Sequence, residues 1–218
     1  MPRIARVVVP HYPHHVIQRG NRRQQVFFSP ADYRAYIQLM SEFCEAAGTA
    51  VWAYCLMPNH VHFVMVPQHE DGLRAAIGEA HRRYTRRVNF REGWRGHLWQ
   101  ERFHSFPMDE EYLVAVVRYV ERNPKVAGLR RQPADWPWSS ARAHIDGIDD
   151  ELVTVAPMLE RIDDWPTYLS TEGDDALVEK HSRTGRPLGS QVFVEKLESL
   201  TGRSLAPRKR GRKVRDET

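Results

Sequence analysis

Two strand-like runs, TAVWAYCLM (residues 49–57) and HVHFVMVP (residues 60–67), are separated only by Pro58-Asn59. Both runs are rich in apolar and β-branched residues, and a Pro-Asn dipeptide is typical of a tight turn. We therefore expect two consecutive strands joined by this turn. The segments on either side of the pair decide which kind of fold can contain it.

Helical patterns lie on both sides of this strand pair. Ser29-Pro30 opens a first predicted helix that Gly48 ends, a second is predicted at residues 72–90, and a third runs from Met108–Asp109 to Pro124. Further strands are predicted in RVVVP-HHVIQRG, interrupted at Pro10 and Pro13, and in HLWQERFHSFPM. The order β-α-β-β-α-β-α predicts an α+β fold with a ferredoxin-like split β-α-β sheet.

The periodic pattern weakens after about residue 132. PADWPWSSARAH is expected to pack as an irregular arm, and LVTVAPMLERIDDWPTYLS and SQVFVEKLESL as short helices. We expect an α+β domain at residues 1–132, an extension with short helices at 133–205, and a basic, disordered tail at 206–218.

Composition excludes several classes of protein. No apolar run approaches the roughly 18 residues that a membrane helix needs, and the N-terminus lacks the pattern of a secretory signal. Two cysteines, Cys44 and Cys55, provide neither a disulfide framework nor a CxxC motif. These features indicate a cytoplasmic protein with reduced thiols.

Basic residues are concentrated in three segments, although the net charge is only +4. Such clusters near aromatic residues suit a phosphate backbone, whereas a solvated surface and a solubilising tail are the alternatives. Trp94 and Trp99 could stack on unpaired bases, with core packing as the alternative. The predicted DNA-binding residues are Arg19, Asn21, Arg22, Arg23, Arg82, Arg83, Arg86, Arg87, Arg208, Lys209 and Arg210.

The second strand of the pair begins with His60-Val61-His62. Residues i and i+2 of a strand point to the same face, so the two imidazoles project side by side and could share one cation. The alternative is a pair of histidines that hydrogen-bond to their neighbours. Two ligands would leave positions open for a third protein group, water and substrate.

Tyr119 and Asn123 are candidates to complete such a site. The third helix has a core stripe at three- and four-residue spacing, and at about 100° per residue Tyr112, Tyr119 and Asn123 fall together beside it. Pro124 is expected to end the helix and to leave Asn123 at its terminus. A phenol beside an amide oxygen could supply a nucleophile next to a metal ligand; the alternative is ordinary packing at the edge of the core.

Several strings of the sequence resemble one known family. MPNHVHFVMVP, GHLWQERFHSF, YVERNPKVAGL and WPWSSARAH are similar to those of the REP-associated tyrosine transposases, relatives of the single-strand insertion-sequence transposases within the HUH nuclease superfamily. The resemblance implies that His60 and His62 are metal ligands and that Tyr119 is the nucleophile. Asn123 would be the third ligand, where relatives commonly carry glutamine, and Tyr112 would only pack.

The resemblance also implies a reaction. The protein would bind hairpin-forming repeat DNA and would cleave and rejoin single-stranded DNA through a 5′-phosphotyrosine. It would need Mg²⁺ or Mn²⁺, of which two imidazoles suit manganese better, and no nucleotide cofactor. We expect a monomer, with a dimer as the alternative. Rival functions are a catalytically silent DNA-binding regulator and a zinc hydrolase, although the sequence lacks HExxH.

Overall fold

The computed structural model describes residues 5–173 and 175–206. Four antiparallel strands form one sheet in the order β2-β3-β1-β4. The strands are β1 (His14–Arg19), β2 (Thr49–Met57), β3 (His60–Pro67) and β4 (His104–Pro107). The three long helices are α1 (Pro30–Ala46), α2 (Gly72–Glu92) and α3 (Glu110–Val126). The predicted α+β class and the predicted order of these seven elements are confirmed.

The helices pack in two layers, one on each face of the sheet. Phe63 of β3 contacts Tyr36 of α1, and Tyr36 contacts Tyr84 of α2. His62, the neighbour of Phe63, contacts Tyr119 of α3 instead. Because successive side chains of a strand point to opposite faces, the sheet separates α1 and α2 from α3.

Two strand predictions are too long. The RVVVP segment is not a strand; Val7 and Val9 pack instead against Phe193 and Leu197 near the end of the described chain. β4 spans only four residues of the predicted twelve-residue segment. Glu101 has φ of 55°, a left-handed conformation that interrupts an extended backbone.

The prediction that Pro124 ends the third helix is also wrong. The helix continues to Val126, with Pro124 buried inside it, so Asn123 lies within the last turn rather than at the terminus. Proline removes one backbone donor and its ring crowds the preceding turn. The missing donor costs only the helical hydrogen bond to the carbonyl four residues earlier, that of Val120, and the helix continues for two residues beyond the proline.

Within the described residues, five shorter α-helices follow α3; the first four share the hydrophobic core of the sheet through residues such as Met158 and Trp165, and the last packs in a separate cluster through Phe193 and Leu197. They are α4 (Ala141–Asp146), α5 (Ala156–Leu159), α6 (Trp165–Ser170), α7 (Asp175–Thr184) and α8 (Gln191–Thr201). No helix is predicted from the sequence at the position of α7. Within residues 5–173 and 175–206, no helix combines the length and the apolar character that crossing a bilayer requires.

A buried carboxylate fastens this extension to α3. Glu121 is fully buried and accepts hydrogen bonds from Ser140 (2.5 Å) and from the Trp165 indole (2.9 Å). The His144 imidazole lies 2.5 Å from the same carboxylate. These three partners come from α6, from α4 and from the residue before α4, so one side chain of α3 holds two helices of the extension.

Candidate active site

The predicted histidine pair lies at the start of β3, on the face of the sheet that α3 covers. In the sheet register, His60 is opposite Arg19 and His62 is opposite Ile17 of β1. The two imidazoles are in contact, with 4.9 Å between ring centroids and 77° between ring planes. His62 is fully buried, whereas His60 is half-buried. The spacing of two residues therefore brings both rings to the same point.

The structure brings Tyr119 and Asn123 to this pair from α3. The Tyr119 ring lies 5.6 Å from the His62 ring, at 85° to it. The Asn123 amide nitrogen donates to the Tyr119 carbonyl at 2.8 Å, and its side chain also hydrogen-bonds to His60. Tyr112 and Tyr119 both pack against the hydrophobic core, and the ring contact with His62 belongs to Tyr119.

Each histidine uses its Nδ1 atom in a hydrogen bond. His60 Nδ1 lies 2.6 Å from Asn59 Oδ1, and Asn59 Nδ2 donates to the Arg23 carbonyl at 3.3 Å, which orients the amide. His62 Nδ1 lies 2.9 Å from His15 Nε2. His62 Nε2 is buried without a hydrogen-bond partner among the described residues. A buried ring nitrogen without a partner is unusual, because buried polar atoms normally form hydrogen bonds.

Burial determines the protonation of both imidazoles. It lowers the pKa of His60 to about 3, aided by the Arg19 charge, and lowers the pKa of His62 well below its ordinary value. Desolvation has this effect because the charged form loses its hydration. Both rings are therefore neutral near pH 7, which is the form that binds metal ions.

The phenol has the opposite shift. Burial, followed by the carboxylates of Glu179 and Asp175, raises the pKa of Tyr119 to about 12, while Arg19 and Asn123 act against this increase. In this state the phenol is protonated at neutral pH. A nucleophilic role would require a further positive group beside its oxygen.

Tyr119 opens onto a cavity of about 580 Å³. Arg19 and Arg23 line it from the β1 side, and Glu179, Ser182 and Arg183 line it from α7. A cleft of about 60 Å³ adjoins the cavity and shares His104 and Arg183 with it; two further arginines, Arg6 and Arg102, line this cleft. Three arginines and two carboxylates, those of Glu101 and Glu179, therefore line the cavity beside the phenol.

The predicted DNA-binding residues fall into separate regions. Arg19 and Arg23 are at the cavity, and Asn21–Arg23 form a short 3-10 helix directly after β1. The predicted α2 residues are exposed, but the sheet lies between them and Tyr119. They are Arg82, Arg83, Arg86 and Arg87. Arg208, Lys209 and Arg210 lie outside the described residues.

The two tryptophans differ in exposure. Trp99 is buried and stacks on His81, with 4.2 Å between ring centroids, so it is a core residue. Trp94 is 44% exposed and contacts Phe28. Only Trp94 of these two is available for stacking on a base.

Sequence reasoning missed the residues that surround the predicted site. His15 belongs to the predicted strand segment HHVIQRG, but nothing in the local pattern indicates that it contacts His62, 47 positions away. Glu179, Ser182 and Arg183 lie on the unpredicted α7. The signal available for α7 is the apolar pair Leu177-Val178 followed by His181-Ser182 at helical spacing, and Gly185 at its end.

Comparisons with known proteins match the same region. A family model described as "Transposase IS200 like" matches residues 8–123, more than half of the chain, including all four residues of the predicted site. A curated Haemophilus influenzae protein with the provisional name REP-associated tyrosine transposase is 28% identical over 111 residues. The match covers 44% of this chain and 61% of that protein, which is less than two thirds of its length.

A solved structure gives a further comparison. It is described as a REP-associated tyrosine transposase bound to a REP hairpin, and it superposes with a TM-score of 0.59 at 19% identity. The superposition covers 71% of this chain and 92% of that chain. At this identity the likeness shows that the two chains share a fold.

Proposed function

Because the chain belongs to the IS200-like transposase family, whose members are enzymes that act on DNA, we propose that it cleaves and rejoins single-stranded DNA through Tyr119. One observation carries the proposal: Tyr119 and Asn123 of α3 converge on the histidine pair of β3, and Tyr119 lines a cavity that also contains Arg19 and Arg23. We further propose that the DNA is a hairpin-forming repeat, by analogy with the REP hairpin bound to the similar protein.

The reaction would be a transesterification. The Tyr119 oxygen attacks a phosphodiester phosphorus, a tyrosyl O–P bond forms, and the P–O3′ bond breaks. The phenol proton leaves and a proton is taken up by the 3′-oxygen, so that the products are a 5′-phosphotyrosine and a free 3′-hydroxyl. Attack by a 3′-hydroxyl reverses these steps and rejoins DNA. No bond energy is lost to water, so no nucleotide cofactor is required.

The residues present fit a divalent cation. His62 Nε2 is buried without a partner among the described residues, His60 is neutral, and the Asn123 amide nitrogen donates to a carbonyl, so Oδ1 is the end of that amide that contacts His60 and could bind a cation. The described residues contain no group of three or more His, Cys, Asp and Glu that could hold a metal ion, and the amide oxygen of Asn123 is the candidate for a third protein ligand. Bound there, Mg²⁺ or Mn²⁺ would polarise the scissile phosphate and favour ionisation of the phenol.

Two basic surfaces would divide the DNA between them. Arg19 and Arg23 are placed to hold phosphates of the strand that enters the cavity. The basic face of α2 lies in the other helical layer and would take the phosphate backbone of the hairpin stem. Arg82 and Arg83 pair with Glu79, whereas Arg86 and Arg87 have no carboxylate ion pair within the described ranges. These last two are the stronger candidates for stem contacts.

Covalent trapping tests the proposal. The protein is incubated with a single-stranded oligonucleotide that carries the hairpin repeat beside its gene, with Mn²⁺, and is analysed on a denaturing gel. The expected result is a protein–DNA adduct that Tyr119→Phe abolishes. Tyr112→Phe is the matched control, because it removes a hydroxyl from the same helix at a residue that packs against the core.

Two other results would contradict the proposal. If Tyr112→Phe removes the adduct and Tyr119→Phe does not, Tyr119 is not the nucleophile. If the wild-type protein binds the hairpin tightly but forms no adduct at any metal concentration, the protein is a DNA-binding regulator rather than a nuclease.

A further inference from the structure

We propose that His15 and Ser182 are positioning residues that set the tautomer of His62 and thereby direct the Nε2 lone pair of His62 toward the site. The inference rests on the proposed function in one respect, namely that His62 is a metal ligand. It gives a role to the buried His15 and to α7 of the extension, neither of which takes part in the proposed reaction.

The geometry is a chain of three hydrogen bonds. His62 Nδ1 lies 2.9 Å from His15 Nε2, with 5.2 Å between the ring centroids and 12° between the ring planes. His15 Nδ1 lies 3.2 Å from the hydroxyl oxygen of Ser182 on α7. The Ser182 hydroxyl donates to the Val178 carbonyl at 2.9 Å, one turn earlier in the same helix.

Counting the protons along these three hydrogen bonds identifies the donor in each of them. The Val178 carbonyl can only accept, so Ser182 uses its single proton there and its oxygen must accept from His15. His15 therefore carries its proton on Nδ1. A neutral imidazole has one protonated nitrogen, so His15 Nε2 is an acceptor and His62 Nδ1 must be the donor. The remaining nitrogen of His62, Nε2, then carries a lone pair.

The count requires both rings to be neutral. His15 and His62 are both fully buried, and no carboxylate hydrogen-bonds to either ring in the part of the chain that the structure describes. A buried charge without a partner is costly, so neutral rings are the stable state. His62 Nε2 is also the atom that lacks a hydrogen-bond partner. A lone pair directed at a cation site explains why His62 Nε2 has no hydrogen-bond partner. In metal-binding histidines the ring nitrogen that does not bind the metal commonly forms a hydrogen bond, as His62 Nδ1 does with His15.

The chain of hydrogen bonds gives α7 a specific task. Ser182 is 167 positions from His15, yet its hydroxyl oxygen accepts the hydrogen bond that fixes which nitrogen of His15 is protonated. The extension would then orient a ligand of the catalytic sheet as well as line the cavity. Removing the Ser182 hydroxyl should release His15 to adopt either tautomer, and His62 with it.

The first measurement is made on the metal-free protein. Nitrogen chemical shifts of ¹⁵N-labelled histidine distinguish a protonated from an unprotonated ring nitrogen, and the His62 signals are assigned by their loss in His62→Gln. The expected result is Nδ1 protonated and Nε2 unprotonated in the wild type, with a mixture of tautomers in Ser182→Ala. Ser170→Ala is the matched control, since it removes an exposed helical hydroxyl that also donates to a carbonyl of its own helix.

The second measurement is the affinity for Mn²⁺, which is determined from the electron paramagnetic resonance signal of the free ion. His15→Leu should weaken Mn²⁺ binding by about 10–100-fold, the range found when such a partner is removed. His15→Gln should retain most of the affinity, because its Oε1 can accept from His62 Nδ1. Since His15→Leu could disturb folding, the comparison of Ser182→Ala with Ser170→Ala stands as the independent test.

Two results would overturn the inference: His62 protonated on Nε2 in the wild type, or unchanged tautomers and unchanged Mn²⁺ affinity in folded Ser182→Ala and His15→Leu proteins. Neither measurement involves DNA or catalysis. A failure of covalent trapping with the expected tautomers would therefore count against the nuclease and not against this hydrogen-bond chain.

Discussion

Tyr119 and Glu179 line the same cavity, and after burial the Glu179 carboxylate is the largest contribution to the raised pKa of the phenol, which is about 12. Tyr119 comes from the helix that packs on the sheet, and Glu179 comes from the extension. A carboxylate at this position opposes formation of the phenolate on which nucleophilic attack depends. The extension therefore influences how readily the proposed nucleophile ionises.

Glu179→Gln should lower the pKa of Tyr119, because it removes a negative charge near the phenolate. The phenolate fraction rises as pH increases through the pKa, so a lower pKa moves the rise of adduct formation to lower pH. The measurement is the initial rate of adduct formation between pH 6 and about 10. Glu195→Gln, an exposed carboxylate on α8, serves as control; equal pH profiles for the two variants would show that Glu179 does not act on Tyr119.

Asn123→Ala should weaken Mn²⁺ binding, since it removes the amide oxygen proposed as third ligand. Asn123→Gln restores an amide oxygen on a side chain longer by one methylene and should bind Mn²⁺ better than the alanine variant. Isothermal titration calorimetry without DNA measures both affinities. Identical affinities for wild type and Asn123→Ala would show that Asn123 is not a ligand.

The contact between Tyr119 and His62 within one chain predicts catalysis in cis by a monomer. A mixture of Tyr119→Phe and His62→Ala proteins should form no covalent adduct, because neither chain has a complete site. Each variant is first checked for folding by circular dichroism. Adduct formation in the mixture, carried by the chain with an intact Tyr119, would instead demonstrate a shared site in a dimer.

Arg86→Ala and Arg87→Ala should weaken hairpin binding at every sequence tested, because contacts to phosphates carry no sequence information. Each lost phosphate contact should also reduce the slope of log affinity against log salt concentration by about 1. Fluorescence anisotropy with a labelled hairpin at several salt concentrations measures this slope. Arg74→Ala on the same helix, where the arginine pairs with Asp71, is the control and should leave the slope unchanged.

Glu121→Ala should destabilise the protein by more than about 3 kcal/mol, because Ser140, His144 and Trp165 lose their shared buried acceptor. Urea denaturation followed by tryptophan fluorescence measures the free energy of unfolding. Glu111→Ala removes an exposed carboxylate from the first turn of the same helix and should cost about 1 kcal/mol or less. Similar losses for both variants would mean that the Glu121 cluster does not hold the extension to α3.

The local features of the site follow from short stretches of sequence. β2 and β3 have the predicted bounds, because a dense run of strand-forming residues on each side of a Pro-Asn turn leaves little choice of register. The two-residue spacing of His60 and His62 and the four-residue spacing of Tyr119 and Asn123 depend only on strand and helix periodicity. The predicted length of the fourth strand was wrong because Glu101 has a left-handed backbone conformation. The predicted end of the third helix was wrong because the helix continues through Pro124.

The sequence by itself therefore determined which side chains can act together on one element, since backbone periodicity alone sets that relationship. Only the tertiary structure decided which elements meet. It placed the basic face of α2 in the opposite layer from Tyr119, closed the cavity with α7, and brought His15 and Ser182 to His62. His15 lies 47 positions from His62 and 167 positions from Ser182 in the sequence. Contacts over such separations depend on the path of the whole chain, which no local pattern encodes.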